Sequence, residues 1–184
     1  MASGSKDDRA SSGASNTAGA PTQAASTSQN SILQMSLDEN SILRRRPEVE
    51  HERAVALFDL LERNTFELLG EGATPGPYHV NLALKDDKLV FSVAKPDGTS
   101  LSDVALAIRP FRSIIKDYFL ICESYFDAIK TMTPSQIEAI DMGRRGLHNE
   151  GAQLLEERLG EFVSLDHATA RRLFTLLCVL HMRG

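Results

Sequence analysis

Residues 110–130, PFRSIIKDYFLICESYFDAIK, and residues 133–160, TPSQIEAIDMGRRGLHNEGAQLLEERLG, read as two consecutive helices, and that reading decides the fold. In the first, Phe111, Ile114, Ile115, Tyr118, Cys122, Tyr125, Phe126 and Ile129 recur at helical spacing and share one face. Lys116, Asp117, Glu123, Asp127 and Lys130 lie mostly away from it. At about 1.5 Å per residue such a helix is roughly 30 Å long, enough to cross one face of a small sheet. The second stretch opens with Thr133 as N-cap, Pro134 as the first helical residue and Gln136 as the capping-box partner.

Working outward, the chain after Asp166 (a further N-cap candidate) runs through LFTLLCVLH. This helix is apolar nearly all round, which predicts burial. Upstream, Tyr78 to Ala94 reads as a hairpin. Val80, Leu82 and Leu84 alternate, Asp86-Asp87 turns, and Leu89, Phe91 and Val93 alternate again. Pro96-Asp97-Gly98 signals a turn into a third strand ending near Ile108. Further back, a helix is predicted from Pro47 to about Leu69, with Val55, Phe58, Leu61 and Leu68 on its inner side. Ile32 to Leu37 alternates as a short strand. These elements predict an α+β fold, with a small antiparallel sheet of about three or four strands packed against about four helices. Residues 31–184 would form one domain. Residues 1–30, rich in Ala, Ser, Gly and Thr, carry too little apolar surface to offset the entropy of ordering and predict a disordered leader.

Bulk properties narrow the function classes. The 184 residues are 42% hydrophobic, enough for a core, and the net charge of −5 argues against a dedicated nucleic-acid binder. Arg44-Arg45-Arg46 reads better as a solvated turn than as a phosphate contact. No apolar run is long enough to span a membrane, and no secretory h-region opens the chain, so a soluble cytoplasmic protein is expected. Two distant cysteines make neither a disulfide scaffold nor a zinc site. No nucleophile elbow or phosphate loop is present, so no cofactor and no metal are expected.

The densest polar cluster lies in the second helix. Ile137, Ile140, Leu147, Leu154 and Leu155 form its apolar stripe, and Arg144 and His148 fall on that stripe with Asp141 at its edge. A buried arginine needs a carboxylate, a bound anion or an open cleft. Gly143, Gly146 and Gly151 each cost about 1 kcal/mol relative to Ala inside a helix. Either another backbone comes close there or the helix breaks. Two functional readings follow. In one, Arg144 and Arg145 hold an anion while His148, paired with Glu150 or Asp141, moves a proton; Asp141, His148 and Glu150 are then the catalytic candidates. In the other, the cluster is an intramolecular network that fixes how the helix meets its neighbours. Cys122 and Cys178 carry a parallel pair of readings, as core residues or as a redox pair within or between chains. Near the end of the chain, Cys178 is expected to be the easier to expose.

RPEVEHERAVALFDLLE (46–62), FRSIIKDYFLICESYFDAI (111–129), TPSQIEAIDMGRRGLHNEG (133–151) and ARRLFTLLCVLHMRG (170–184) resemble uncharacterised protein family 0262 of the UPF series, small proteins of alphaproteobacteria. The resemblance covers roughly residues 32–184. It implies a bacterial cytoplasmic protein without an established enzymatic activity. It also implies redox-gated restraint of topoisomerase IV, with Cys122 and Cys178 serving disulfide-linked homodimers. The expected protein is therefore regulatory and non-enzymatic. The alternative is an enzyme or binding domain that takes a small anionic molecule on Arg144 and His148.

Overall fold

Strict alternation builds the sheet. The computed structural model describes residues 29–38 and 47–181, and for Pro47 and Glu48 the backbone alone. Arg44 to Arg46 and nearly all of the predicted leader lie outside these residues. Strand β1 is Ile32–Leu37, and helix α1 is Pro47–Glu62. They are followed by β2 (Phe66–Leu68), β3 (Tyr78–Lys85), β4 (Lys88–Ala94) and β5 (Ser100–Ala107). A short 3-10 turn leads into α2 (Arg112–Thr131), and α3 (Pro134–Leu159), β6 (Val163–Leu165) and α4 (His167–His181) complete the fold. The architecture is α+β.

The β3–β4–β5 meander is antiparallel and aligns Leu82 with Phe91 and Phe91 with Val104. These side chains are buried on one face, as the period of two requires. Asp86 and Asp87 both take positive φ, the geometry that a two-residue hairpin turn demands. One feature departs from the antiparallel sheet expected from sequence. β1 lies on the β3 edge and runs parallel to it, so the sheet is mixed, in the order β1-β3-β4-β5. A parallel neighbour needs a crossover, and the segment from α1 to β2 supplies it.

The first helix is shorter than its pattern suggested and is rotated. α1 stops at Glu62 because Asn64 intervenes. The Asn64 amide donates to the carbonyls of Leu60 and Ile32, and its Oδ1 accepts the Ile32 N–H at 2.6 Å. One buried side chain thus ends a helix and fastens the start of β1. The following residues then switch to period two. Phe66 and Leu68 point inward, and β2 pairs antiparallel with β6 in a second, two-stranded sheet. Ala56 and Leu60, not Val55, Phe58 and Leu61, form the inner face of α1. Phe58 is 69% exposed, with Val55 at 43% and Leu61 at 42%. Apolar residues occupy both sides of this helix, so periodicity alone could not choose between them.

The core lies between the sheet face and α4, whose residues from Leu173 to Leu180 are all buried. Asp166 caps α4, accepting the Thr169 N–H on its carboxylate. The Thr133 capping box of α3 is formed as expected. In α2 the buried face narrows after Tyr118, where Ala128 alone is fully buried. Phe111, Ile114, Ile115 and Tyr118 are buried, but Phe126 and Ile129 are 41% and 52% exposed.

Candidate functional site

α3 is unbroken across its glycines. Gly151 shows why one of them is required, because a Cβ there would come within 2.3 Å of the Phe174 ring. This contact brings α3 close against α4. Two turns N-terminal to it, Arg144 sits in a helical network. Its Nε and Nη2 donate to one Asp141 oxygen at 3.0 and 2.8 Å, and Arg145 reaches the other oxygen at 3.0 Å. The Arg144 guanidinium also lies 5.4 Å from the centre of the Tyr125 ring. Burial lowers the guanidinium, but the Asp141 carboxylate, Tyr118 and Cys122 together raise Arg144 above its ordinary value. The hydrogen bond from Arg144 in turn holds Asp141 below the usual carboxylate range. The carboxylate partner that a half-buried arginine needs is therefore within its own helix.

His148 has different partners from those the sequence suggested. Neither Glu150 nor Asp141 pairs with it. Its Nε2 lies 2.9 Å from both the Thr175 hydroxyl and the Arg171 carbonyl, and the Arg171 guanidinium donates to its Nδ1 at 3.3 Å. The ring stacks on Tyr118 at 5.5 Å and leans on Phe174 at 5.8 Å. Burial, followed by the Arg171 charge, lowers His148 to about 4. The geometry fits one tautomer: neutral, with Nδ1 accepting from Arg171 and Nε2–H donating to oxygen. An imidazole held this way is occupied at both nitrogens. Glu150 lies elsewhere, lining a recess of about 400 Å³ between α2 and α3 with Asp117 and Glu157.

The Tyr118 ring that His148 backs is also part of a groove of about 530 Å³. Val49 and Glu52 of α1 form one wall; Phe119, Cys122, Glu123, Phe126, Asp127 and Lys130 of α2 form the other. Thr175, Cys178 and Val179 of α4 form the floor. The groove brings the two cysteines together, and both are free thiols. Burial pushes the half-buried Cys122 thiol up and the fully buried Cys178 thiol well up. Cys178 is 1% exposed, so the less accessible sulfur is the one nearer the chain end, contrary to expectation. Its helix is the core of the molecule, which keeps it from fraying. Among the described residues no group of three or more His, Cys, Asp and Glu side chains could hold a metal ion, and no helix is long and apolar enough to cross a membrane.

Arg171, Thr175, Tyr118 and Phe174 complete this site; the sequence placed Tyr118 only on an apolar face and Arg171 only beside Arg172 as a rejected nucleic-acid contact, and it did not single out Thr175 or Phe174. One signal was available: Arg171 and Thr175, four residues apart, are polar positions on one face of an otherwise apolar helix.

Comparison with known proteins places the chain. The model described as "Uncharacterised protein family (UPF0262)" matches residues 29–183. The chain belongs to this family. A UPF0262 protein of Rhodospirillum rubrum is 59% identical over 153 residues, covering 83% of this chain and 93% of the relative. One from Rhizobium meliloti is 60% identical over 148 residues, covering 80% and 92%, and one from Mesorhizobium japonicum is 56% identical over 153 residues, covering 83% and 94%. No solved structure matches the chain.

Proposed function

We propose that this UPF0262 protein is a non-enzymatic regulator that acts by binding another protein. The observation that carries this reading is the outer face of α1. Val55, Phe58 and Leu61 form an exposed apolar stripe directly opposite the Ala56–Leu60 face that packs inward. A helix apolar on both faces is one that is covered on both faces, and a Phe left 69% exposed between two further apolar residues is an association site. The polar cluster supports the same reading from the other side. Arg144 is held by Asp141, and both nitrogens of His148 are engaged, so neither is poised for acid–base work.

The partner that the family resemblance implies is topoisomerase IV, and the switch it implies is thiol oxidation. In that step two thiols lose their protons and two electrons to a peroxide, which is reduced to water, and a disulfide forms. Cys122, which lines the groove and is the less buried sulfur, is the one a reagent meets first.

The test is binding of purified topoisomerase IV to the purified chain, with and without mild peroxide, beside Phe58→Ser and Cys122→Ser. Binding that Phe58→Ser abolishes without lowering the melting temperature supports the reading. Binding by wild type and Phe58→Ser alike, or by neither in either redox state, contradicts it.

A further inference from the structure

The far edge of β5 is an open row of backbone donors and acceptors. β5 is the last strand of the β1-β3-β4-β5 sheet, and among the described residues nothing pairs with its outer side. The Ile108 N–H donates to the Asp87 carbonyl at 3.0 Å, in the register that sets Ala107 against Lys88. Along an antiparallel ladder, residues that bond inward alternate with residues that bond outward. Ile108 bonds inward, so Leu106, Val104 and Ser102 do too. The N–H and C=O groups of Asp103, Ala105 and Ala107 therefore point out of the sheet, and all three residues are exposed. Proteins commonly guard such an edge with lysine, proline or a bulge. From Ser102 to Ala107 β5 has none of these, since the shift in its pairing with β4 falls beyond Ser102, between Val93 and Ala94.

A row of free N–H and C=O groups takes an extended strand, and charge selects which one. Asp103 is the one charged residue of β5, and Arg109 follows the strand. Neither side chain has an ion-pair partner among the described residues. A second copy laid antiparallel along this edge, with Ala105 on the two-fold axis, sets Asp103 of each chain against Ala107 of the other. Arg109 of the other copy then follows two residues on, at the diagonal position that a long side chain reaches. Both unpaired charges find partners, once at each end of the contact. Centring on Asp103 would set two carboxylates together, and centring on Ala107 would run each strand into the turn at Arg109–Phe111 of the other. We propose that two copies of this chain associate through β5, antiparallel about Ala105, and join their sheets into one. The contact is isologous and uses neither cysteine. It goes beyond the α1 reading and does not depend on it. α1 packs beside β1, at the opposite edge of the sheet, so the pair presents two free α1 stripes.

Sedimentation equilibrium of the full chain in excess reductant, across a range of concentrations, is the test. The mass is expected to rise from the 20.2 kDa of one chain toward twice that value, in wild type, Cys122→Ser and Phe58→Ser alike. One strand edge is a small contact, so the dimer is concentration-dependent. Asp103→Arg and Arg109→Asp should each raise the dissociation constant about fivefold or more, and the two combined should restore it. Ala105→Pro should abolish the dimer, because the N–H it removes points outward and the inward ladder does not use it. In a Cys122→Ser background, Ala105→Cys should cross-link to its own copy under mild oxidant, and Ala107→Cys should do so about tenfold more slowly or less. Melting temperatures show whether each variant folds. If Ala105→Pro does not, the charge exchange and the cross-link decide. A monomer at every concentration would overturn the proposal. So would a dimer that gives no cross-link at Ala105→Cys, or one that vanishes in Cys122→Ser and so belongs to the sulfur. Because Phe58 lies away from β5, loss of topoisomerase binding in Phe58→Ser and loss of the dimer in Asp103→Arg report separately on the two readings.

Discussion

Two side chains show how much single residues contribute here. Asn64 is 9% exposed and satisfies the Ile32 N–H, the Ile32 carbonyl and the Leu60 carbonyl together. Removing it leaves buried backbone groups without partners. Asn64→Ala should therefore lower unfolding free energy by about 2–3 kcal/mol in urea melts. Asn64→Asp should do no better, because its carboxylate would face the two carbonyls that the amide now serves. His148 acts through pH. Its folded value of about 4 lies below the ordinary 6.5, so the unfolded chain binds a proton first as pH falls. Stability that is complete above about pH 6.5 is lost between there and pH 4, by about 3 kcal/mol in total. Urea melts of wild type against His148→Gln should show this acid-side loss in wild type and a flatter profile in the variant. Parallel profiles would place the titration elsewhere.

At the scale of elements, α3 joins three glycines with three different surroundings. Gly151 has no room for a Cβ against Phe174, Gly143 would meet only the tip of Ile121, and Gly146 faces open space. Gly146→Ala should stabilise the protein by about 1 kcal/mol through helix propensity alone. Gly143→Ala should be close to neutral, since the Ile121 tip can turn aside. Gly151→Ala should destabilise by about 2 kcal/mol or more, because the whole Phe174 ring must move within a packed core. Thermal melts of the three variants check this order, and a stabilised Gly151→Ala would show that α3 and α4 pack less closely than described. The sequence signalled that the glycines needed a reason, but not which one, because the deciding atoms belong to α2 and α4. The same holds for α1. Its length and rotation follow from Asn64 and β2, whereas its own apolar residues point both ways.

For the whole molecule, what was legible was local. Period-two strands, the Asp86-Asp87 turn, the Thr133 box and the Asp166 cap all follow from neighbouring residues, and the Arg144–Asp141 pair follows from its spacing of three. What was illegible came from distance. β2 finds β6 across most of the chain, β1 joins β3 in parallel, and His148 takes its partners from 23 and 27 residues away. The functional account inherits that division. Arg144, Arg145 and Asp141 pair within α3, His148 ties α3 to α4, and the function proposed above puts association on the outer stripe of α1. The most direct test is decatenation by topoisomerase IV in the presence of wild type, Phe58→Ser and Arg144→Ala. The account predicts that wild type restrains the enzyme and that Phe58→Ser, equally stable, does not. Arg144→Ala should lose about 1 kcal/mol of stability yet restrain the enzyme as wild type does per folded molecule. An inactive but well-folded Arg144→Ala beside an active Phe58→Ser would contradict it, and would move the function to the Asp141–Arg144–His148 cluster.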